Sequence, residues 1–132
     1  MPILVRWDKT IPNVIRWDFK DEVGWEDIQA GHQETQRLFA DLIPPIFIVW
    51  DLRPIGKIPT NTISYYPEIA KLMRDYPHPI TYRAVIVSEQ TPRLVRQLLG
   101  ILSRWVGGFD VVETEAEAYS ALEQARASFL SQ

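Results

Sequence analysis

The sequence contains no cysteine. Disulfides, thiolate nucleophiles and cysteine-held metal centres are thereby excluded, and a cytoplasmic location is expected. Histidine is nearly as scarce: His32 and His78 stand alone, without the paired spacing a transition-metal site requires. No serine sits in a Gly-x-Ser-x-Gly elbow. No apolar run approaches the roughly 18–20 residues that span a bilayer, and Arg6 and Asp8 bring charge in early, so neither membrane insertion nor a cleavable signal is expected. Neither sign of charge dominates, since the net charge is −3, so nucleic acid and anionic membrane surfaces are not expected partners. Phosphate cradles are missing too. Gly56-Lys57 lacks the upstream glycine of a P-loop, Ile58 replaces its hydroxyl residue, and no Gly-x-Gly-x-x-Gly occurs.

What is present suffices for a core. Of 132 residues, 46% are hydrophobic and 23% charged, the balance of a globular chain rather than a disordered one. With no linker or low-complexity stretch to divide it, the chain is expected to form a single domain over residues 1–132.

Ile3–Asp8 and Val14–Lys20 are β-branched and aromatic, and they flank the turn-forming Thr10-Ile11-Pro12-Asn13. The echo between Val5-Arg6-Trp7-Asp8 and Ile15-Arg16-Trp17-Asp18 then reads as two strands of one hairpin. After Gly24 the period changes: Trp25, Ile28, His32, Thr35, Phe39 and Leu42 alternate steps of three and four, a helical stripe that Pro44-Pro45 ends. On that stripe His32 reads as a core histidine. Ile46–Trp50 is apolar without alternation, as in a strand covered on both faces. A helix beginning between Thr60 and Pro67 follows, then a strand over Tyr82–Ser88.

The next helix has Thr91 as its cap, Pro92 at its first position and Gly107-Gly108 as its stop. Its inward arc is Leu94, Val95, Leu98, Leu99, Ile101, Leu102, Trp105 and Val106; Arg93, Arg96 and Arg104 make a basic outer face. Phe109–Glu113 is a short strand, and Thr114-Glu115-Ala116-Glu117 is a capping box that opens a last helix. The expected class is therefore α/β: one mixed, largely parallel sheet with an N-terminal hairpin, in the order β-β-α-β-α-β-α-β-α.

In such sheets, ligands and partners meet the loops at the carboxyl ends of the strands. Here these are the segment carrying Asp51, Arg53, Lys57, Thr60, Asn61, Thr62, Tyr65 and Tyr66, and a second loop with Glu89, Gln90 and Arg93. A helix start after the first loop favours an anion or a phosphorylated hydroxyl, while Thr60 or Thr62 could equally serve as a plain cap. Asp51 and Glu89 are expected to be solvated loop charges unless they converge in a cleft, which would point to an enzyme.

The order and spacing resemble the STAS domain (sulfate transporter and anti-sigma factor antagonist). The resemblance is carried by Val14–Phe19 leading into Trp25-Glu26-Asp27-Ile28, by Ile46–Leu52 and by Phe109–Leu122. It implies a non-catalytic, cofactor-free regulatory module that docks to another protein, an anti-sigma-type regulator or a second copy. In anti-sigma factor antagonists, Asp-Leu at the end of the third strand precedes an Asp-Ser-Ser-Gly motif whose serine is phosphorylated, breaking the complex. With Asp51-Leu52 as anchor, that motif falls on Pro59-Thr60-Asn61-Thr62, so asparagine replaces the phosphorylated serine. A hydroxyl switch would then fall on Thr60, Thr62 or Ser64. The alternative expectation is a binding module for a small anionic or apolar ligand at the same loops; a deep pocket beneath Asp51–Thr62 would favour it.

Overall fold

The computed structural model describes residues 3–20, 22–56, 64–74, 80–106 and 109–131. Strands β1 (Ile3–Trp7) and β2 (Val14–Phe19) form the expected hairpin, with Val5 opposite Trp17 and Arg6 opposite Arg16. Its turn is tied locally: the Asp8 carboxylate accepts from the Thr10 and Ile11 N–H groups, and Asn13 takes the positive φ of 63° that asparagine tolerates. Helix α1 (Trp25–Phe39) follows, then β3 (Phe47–Asp51), α2 (Tyr66–Arg74), β4 (Tyr82–Ile86), α3 (Arg93–Val106), β5 (Phe109–Val112) and α4 (Glu115–Leu130).

The five strands lie in sequential order, β1-β2-β3-β4-β5, with β1 antiparallel and the other neighbours parallel. Crossovers that all advance in one direction with one hand place their helices on one face. Accordingly α1, α2 and α3 share a large core with Ile15, Trp17, Ile48, Trp50, Val85 and Val87. The opposite face holds a smaller core, where Ala118 and Leu122 of α4 meet Val14, Phe47, Val49, Ala84 and Ile86. β3 lies at the sheet's centre and is buried throughout, as its unbroken apolar run requires.

Three local expectations are corrected. α1 stops at Phe39, so Leu42 lies in the turn beyond it and Pro44-Pro45 is not the terminator. The Thr91 hydroxyl accepts from the Ser88 N–H and closes the turn after β4 instead of capping α3. On α3, among the described side chains, only Val95, Leu99 and Leu102 are buried; Leu94 and Trp105, on one flank of the expected arc, are 45% and 50% exposed. An apolar stripe on a helix over a sheet is narrower than the arc its residue types can fill. The Gly107-Gly108 stop and His78 lie outside the described residues.

His32 is buried, edge-on to Trp17 at 4.9 Å. Burial, with the Arg83 guanidinium adding to it, pushes its imidazole down to about 3. An unfolded histidine titrates near 6.5, so below that pH the unfolded chain binds the extra proton and the native state does not. Stability should therefore fall as the pH drops from about 6.5 towards 3, by up to about 1.4 kcal/mol per pH unit. Urea midpoints measured between about pH 6.5 and 5 should show that slope in the native sequence and lose most of it in His32→Gln.

Candidate functional site

Two constellations meet at the carboxyl end of β3, one on each face of the sheet. On the α4 face, Val14, Arg16 and Asp18 alternate along β2, which brings Arg16 inward beside Asp51 of β3. The Arg16 side chain is 4% exposed and reaches four acceptors: Asp18 at 3.0 Å, Asp51 at 3.2 Å, Glu115 at 3.0 Å and the Tyr119 hydroxyl at 2.8 Å. Tyr119 in turn donates to Asp8 at 2.7 Å, and Arg6 holds the second oxygen of Asp18 at 2.7 Å. Arg53 clamps Asp51 through two guanidinium nitrogens, at 2.9 and 2.7 Å, and also reaches Glu115 at 3.2 Å.

Burial alone would destabilise the Arg16 charge, but the Tyr119 and Asp18 contacts more than offset it and hold its pKa above the ordinary value. At Asp51, burial opposes ionisation, and the Arg53 and Arg16 contacts win, leaving its pKa below the usual carboxylate value. Both groups stay charged and fully engaged. Asp51 is thus no solvated loop charge, a correction to the sequence reading: a carboxylate at a strand end is buried when two guanidiniums converge on it.

The second constellation is apolar. Between the sheet and helices α1, α2 and α3 lies a cavity of about 90 Å³. Trp17, Phe19, Trp50 and Leu52 line it from β2 and the end of β3, Val23, Ile28 and Ile55 from loops and α1, and Tyr66, Ile69, Val95, Leu98, Leu99 and Leu102 from the other two helices. Tyr66 and Leu98 are half-buried and mark the side nearest solvent.

Trp17 and Trp50 stack at 5.0 Å between ring centroids. Trp17 is pinned because its indole N–H donates to the Thr35 hydroxyl at 2.8 Å, and that hydroxyl donates to the Gly31 carbonyl. Gly31 has to be glycine, since a Cβ there would meet the Trp17 ring at 2.9 Å. The Trp50 indole N–H is buried and has no hydrogen-bond partner among the described residues.

The nominated residues divide accordingly. Asp51 and Arg53 join the ion cluster, and Tyr66 walls the cavity. Tyr65, 38% exposed, stacks on Trp25 at 4.7 Å. Ser64 is exposed. Lys57, Thr60, Asn61 and Thr62 lie outside the described residues. Glu89, Gln90 and Arg93 are exposed, and no hydrogen bond or ion pair among the described residues brings Glu89 to Asp51.

Sequence reasoning passed over Arg16, Glu115, Tyr119 and most of the cavity wall. The alternation Val14-Arg16-Asp18 was the available signal for the first of these; the wall residues carry none, because cavity and core use the same residue types. Among the described residues no three metal-ligating side chains cluster, and no helix is long and apolar enough to cross a membrane.

No protein-family model matches the chain, and no curated protein does. Among solved structures, the chain is similar to an uncharacterised protein of the DUF3478 family from Shewanella loihica PV-4, whose crystal structure has a SpoIIAA-like fold. The TM-score is 0.62 at 12% identity, over 89% of this chain and 90% of that one. Its strand order, its hairpin start and this likeness together identify the chain as having the SpoIIAA-like, STAS-type fold that its element order resembled.

Proposed function

We propose that this chain is a non-catalytic binding module that holds a small apolar ligand between the sheet and helices α1, α2 and α3, beneath the segment that follows β3. The observation that carries this reading is the cavity itself: it is walled by aliphatic and aromatic side chains, with the Trp17–Trp50 stack on its sheet side. An apolar cavity of roughly 150 Å³ stays dry and takes up benzene. At about 90 Å³, this one suits a ligand whose buried part is no larger than that, with any remainder extending past Tyr66 and Leu98. The charged residues of the strand-end loop support the same reading from the other side. Asp51 and Arg53 are consumed by internal ion pairs, so they hold the segment carrying Leu52 and Ile55 in place and are not free to grip a partner.

Calorimetric titration with benzene tests this. Saturable binding is expected for the native sequence. Val95→Phe, which fills the cavity, should abolish it while keeping the unfolding midpoint within a few degrees. Unsaturable, weak uptake that is the same in both proteins would overturn the reading.

A second reading, a module that docks to a protein through the Arg53–Tyr66 region, rests on the STAS-type fold and on exposed Tyr65 and Trp105 near the same side. In it a phosphorylation switch, if retained, uses Thr60 or Thr62. Failure of the benzene titration would favour this reading.

A further inference from the structure

We propose that the free edge of β1 is a docking site for an extended segment of another protein, one that alternates basic and apolar side chains and adds a strand to the sheet. β1 ends the strand order, so its outer edge meets no strand among the described residues. The register identifies the backbone groups that lie there. The Asp8 N–H donates to the Val14 carbonyl at 2.8 Å, so hydrogen-bonded and non-hydrogen-bonded pairs alternate back along the hairpin from that point. Leu4 and Arg6 therefore direct their backbone groups to Asp18 and Arg16, whereas Val5 and Trp7 turn their N–H and C=O outward. An unpaired edge is a template for a further strand, and Ile3–Trp7 carries neither the proline nor the bulge that would blunt it.

Along that edge runs a groove of about 260 Å³, which shares no lining residue with the apolar cavity. Ile3, Leu4 and Val5 form one side; Asp27, Ala30, Gly31 and Glu34 of α1 form the other. The α1 residues are spaced as one helix face, and the small middle pair, Ala30 and Gly31, leaves the room. Side chains of an added strand that point to the α1 side enter this groove. Charge selects the occupant. Carboxylates stand on both sides of the small pair, two helical turns apart, and no cation lines the groove. Asp27 accepts from the Gly24 N–H and Glu34 pairs with Arg37, but an ionised carboxylate has further acceptor sites. A second copy fits poorly: antiparallel pairing of two β1 edges sets both α1 helices on one face of the joined sheet, with Asp27 and Glu34 of one facing those of the other. On the opposite face Leu4 is 52% exposed. A strand with lysine or arginine towards α1 and β-branched residues towards Leu4 complements both faces.

The acetylated and amidated peptide Lys-Val-Lys-Val-Lys-Val-Lys, titrated into the isotope-labelled protein, tests the proposal, with the same peptide carrying glutamate for lysine as control. Saturable binding of the lysine peptide alone is expected, with the Val5 and Trp7 amide resonances moving downfield and exchanging more slowly with solvent. Val5→Pro removes an outward N–H at an edge position where proline is tolerated, and should abolish binding while leaving the α4 resonances in place. Glu34→Gln should weaken binding by up to about fivefold at low salt, and it decides the matter with the amide shifts if Val5→Pro does not fold. Equal binding of the two peptides, binding that survives Val5→Pro in the folded state, or no saturable binding would overturn the proposal. So would a native protein that sediments as a dimer and a folded Val5→Pro that sediments as a monomer, which would assign the edge to a second copy.

Discussion

Replacing Arg16 by methionine is expected to lower the unfolding free energy by about 3–5 kcal/mol, the range for removing one partner from a buried charge cluster. Methionine keeps most of the side-chain stem, so packing is largely preserved and the loss is electrostatic. Asp51 would keep Arg53 and Asp18 would keep Arg6, but each loses its better-desolvated partner, and Glu115 loses one of the two guanidiniums at the start of α4. The native stability of a domain this size is typically about 5–15 kcal/mol, so the change would be a large part of the whole. Urea unfolding with an unchanged m-value measures it. A loss below about 1 kcal/mol would mean that solvent screens the cluster as it does surface pairs.

Trp17→Ala should cost a comparable amount, about 3–5 kcal/mol, the usual range for truncating a large buried aromatic. The ring is fully buried and lies against Gly31, His32, Phe19 and Trp50, and its N–H bond to Thr35 disappears with it. Gly31 sits so close that α1 has little room to settle further onto the sheet, so most of the space should remain open. Chemical unfolding should show the loss as a lower midpoint. A loss under about 1.5 kcal/mol would show that the helix does collapse into the gap, and that the wall is softer than its packing implies.

The element order was legible because hydrophobic period changes cleanly along the chain. Segments rich in β-branched and aromatic residues give way after Gly24 to a three-four stripe, and the unbroken run Ile46–Trp50 marks a central strand. Edges were less legible. Leu94 and Trp105 fit the apolar arc of α3 on a helical wheel, yet whether a flank is covered depends on what lies beside it, which no local pattern records.

The charged cluster was half visible. The repeat Arg-Trp-Asp gave the hairpin, and the antiparallel register then sets Arg6 and Arg16 opposite one another with Asp18 between their guanidiniums. Its closure by Glu115 and Tyr119 depends on a helix about a hundred residues later folding back over β2, a contact of long sequence separation. The cavity was not visible at all, since Val95, Leu99 and Leu102 would have looked the same in a filled core.

The two constellations are linked through one short stretch of chain. Asp51 and Arg53 are fixed on the polar face, while Leu52 and Ile55, their neighbours in sequence, wall the cavity on the other. Strand alternation sends Asp51 and Leu52 to opposite faces, and a turn closed by the Ile55 N–H on the Leu52 carbonyl at 3.0 Å carries Arg53 and Ile55, so anchoring the charged pair also sets the position of the apolar wall.

Diffraction from a crystal held under xenon pressure tests the central claim most directly, because a cavity lined only by apolar surface admits xenon. The account predicts a xenon atom bounded by Trp17, Trp50 and Leu99, and its loss in Val95→Phe. A site that takes no xenon in the native sequence, or one filled by side chains or a chain of ordered waters, would contradict it.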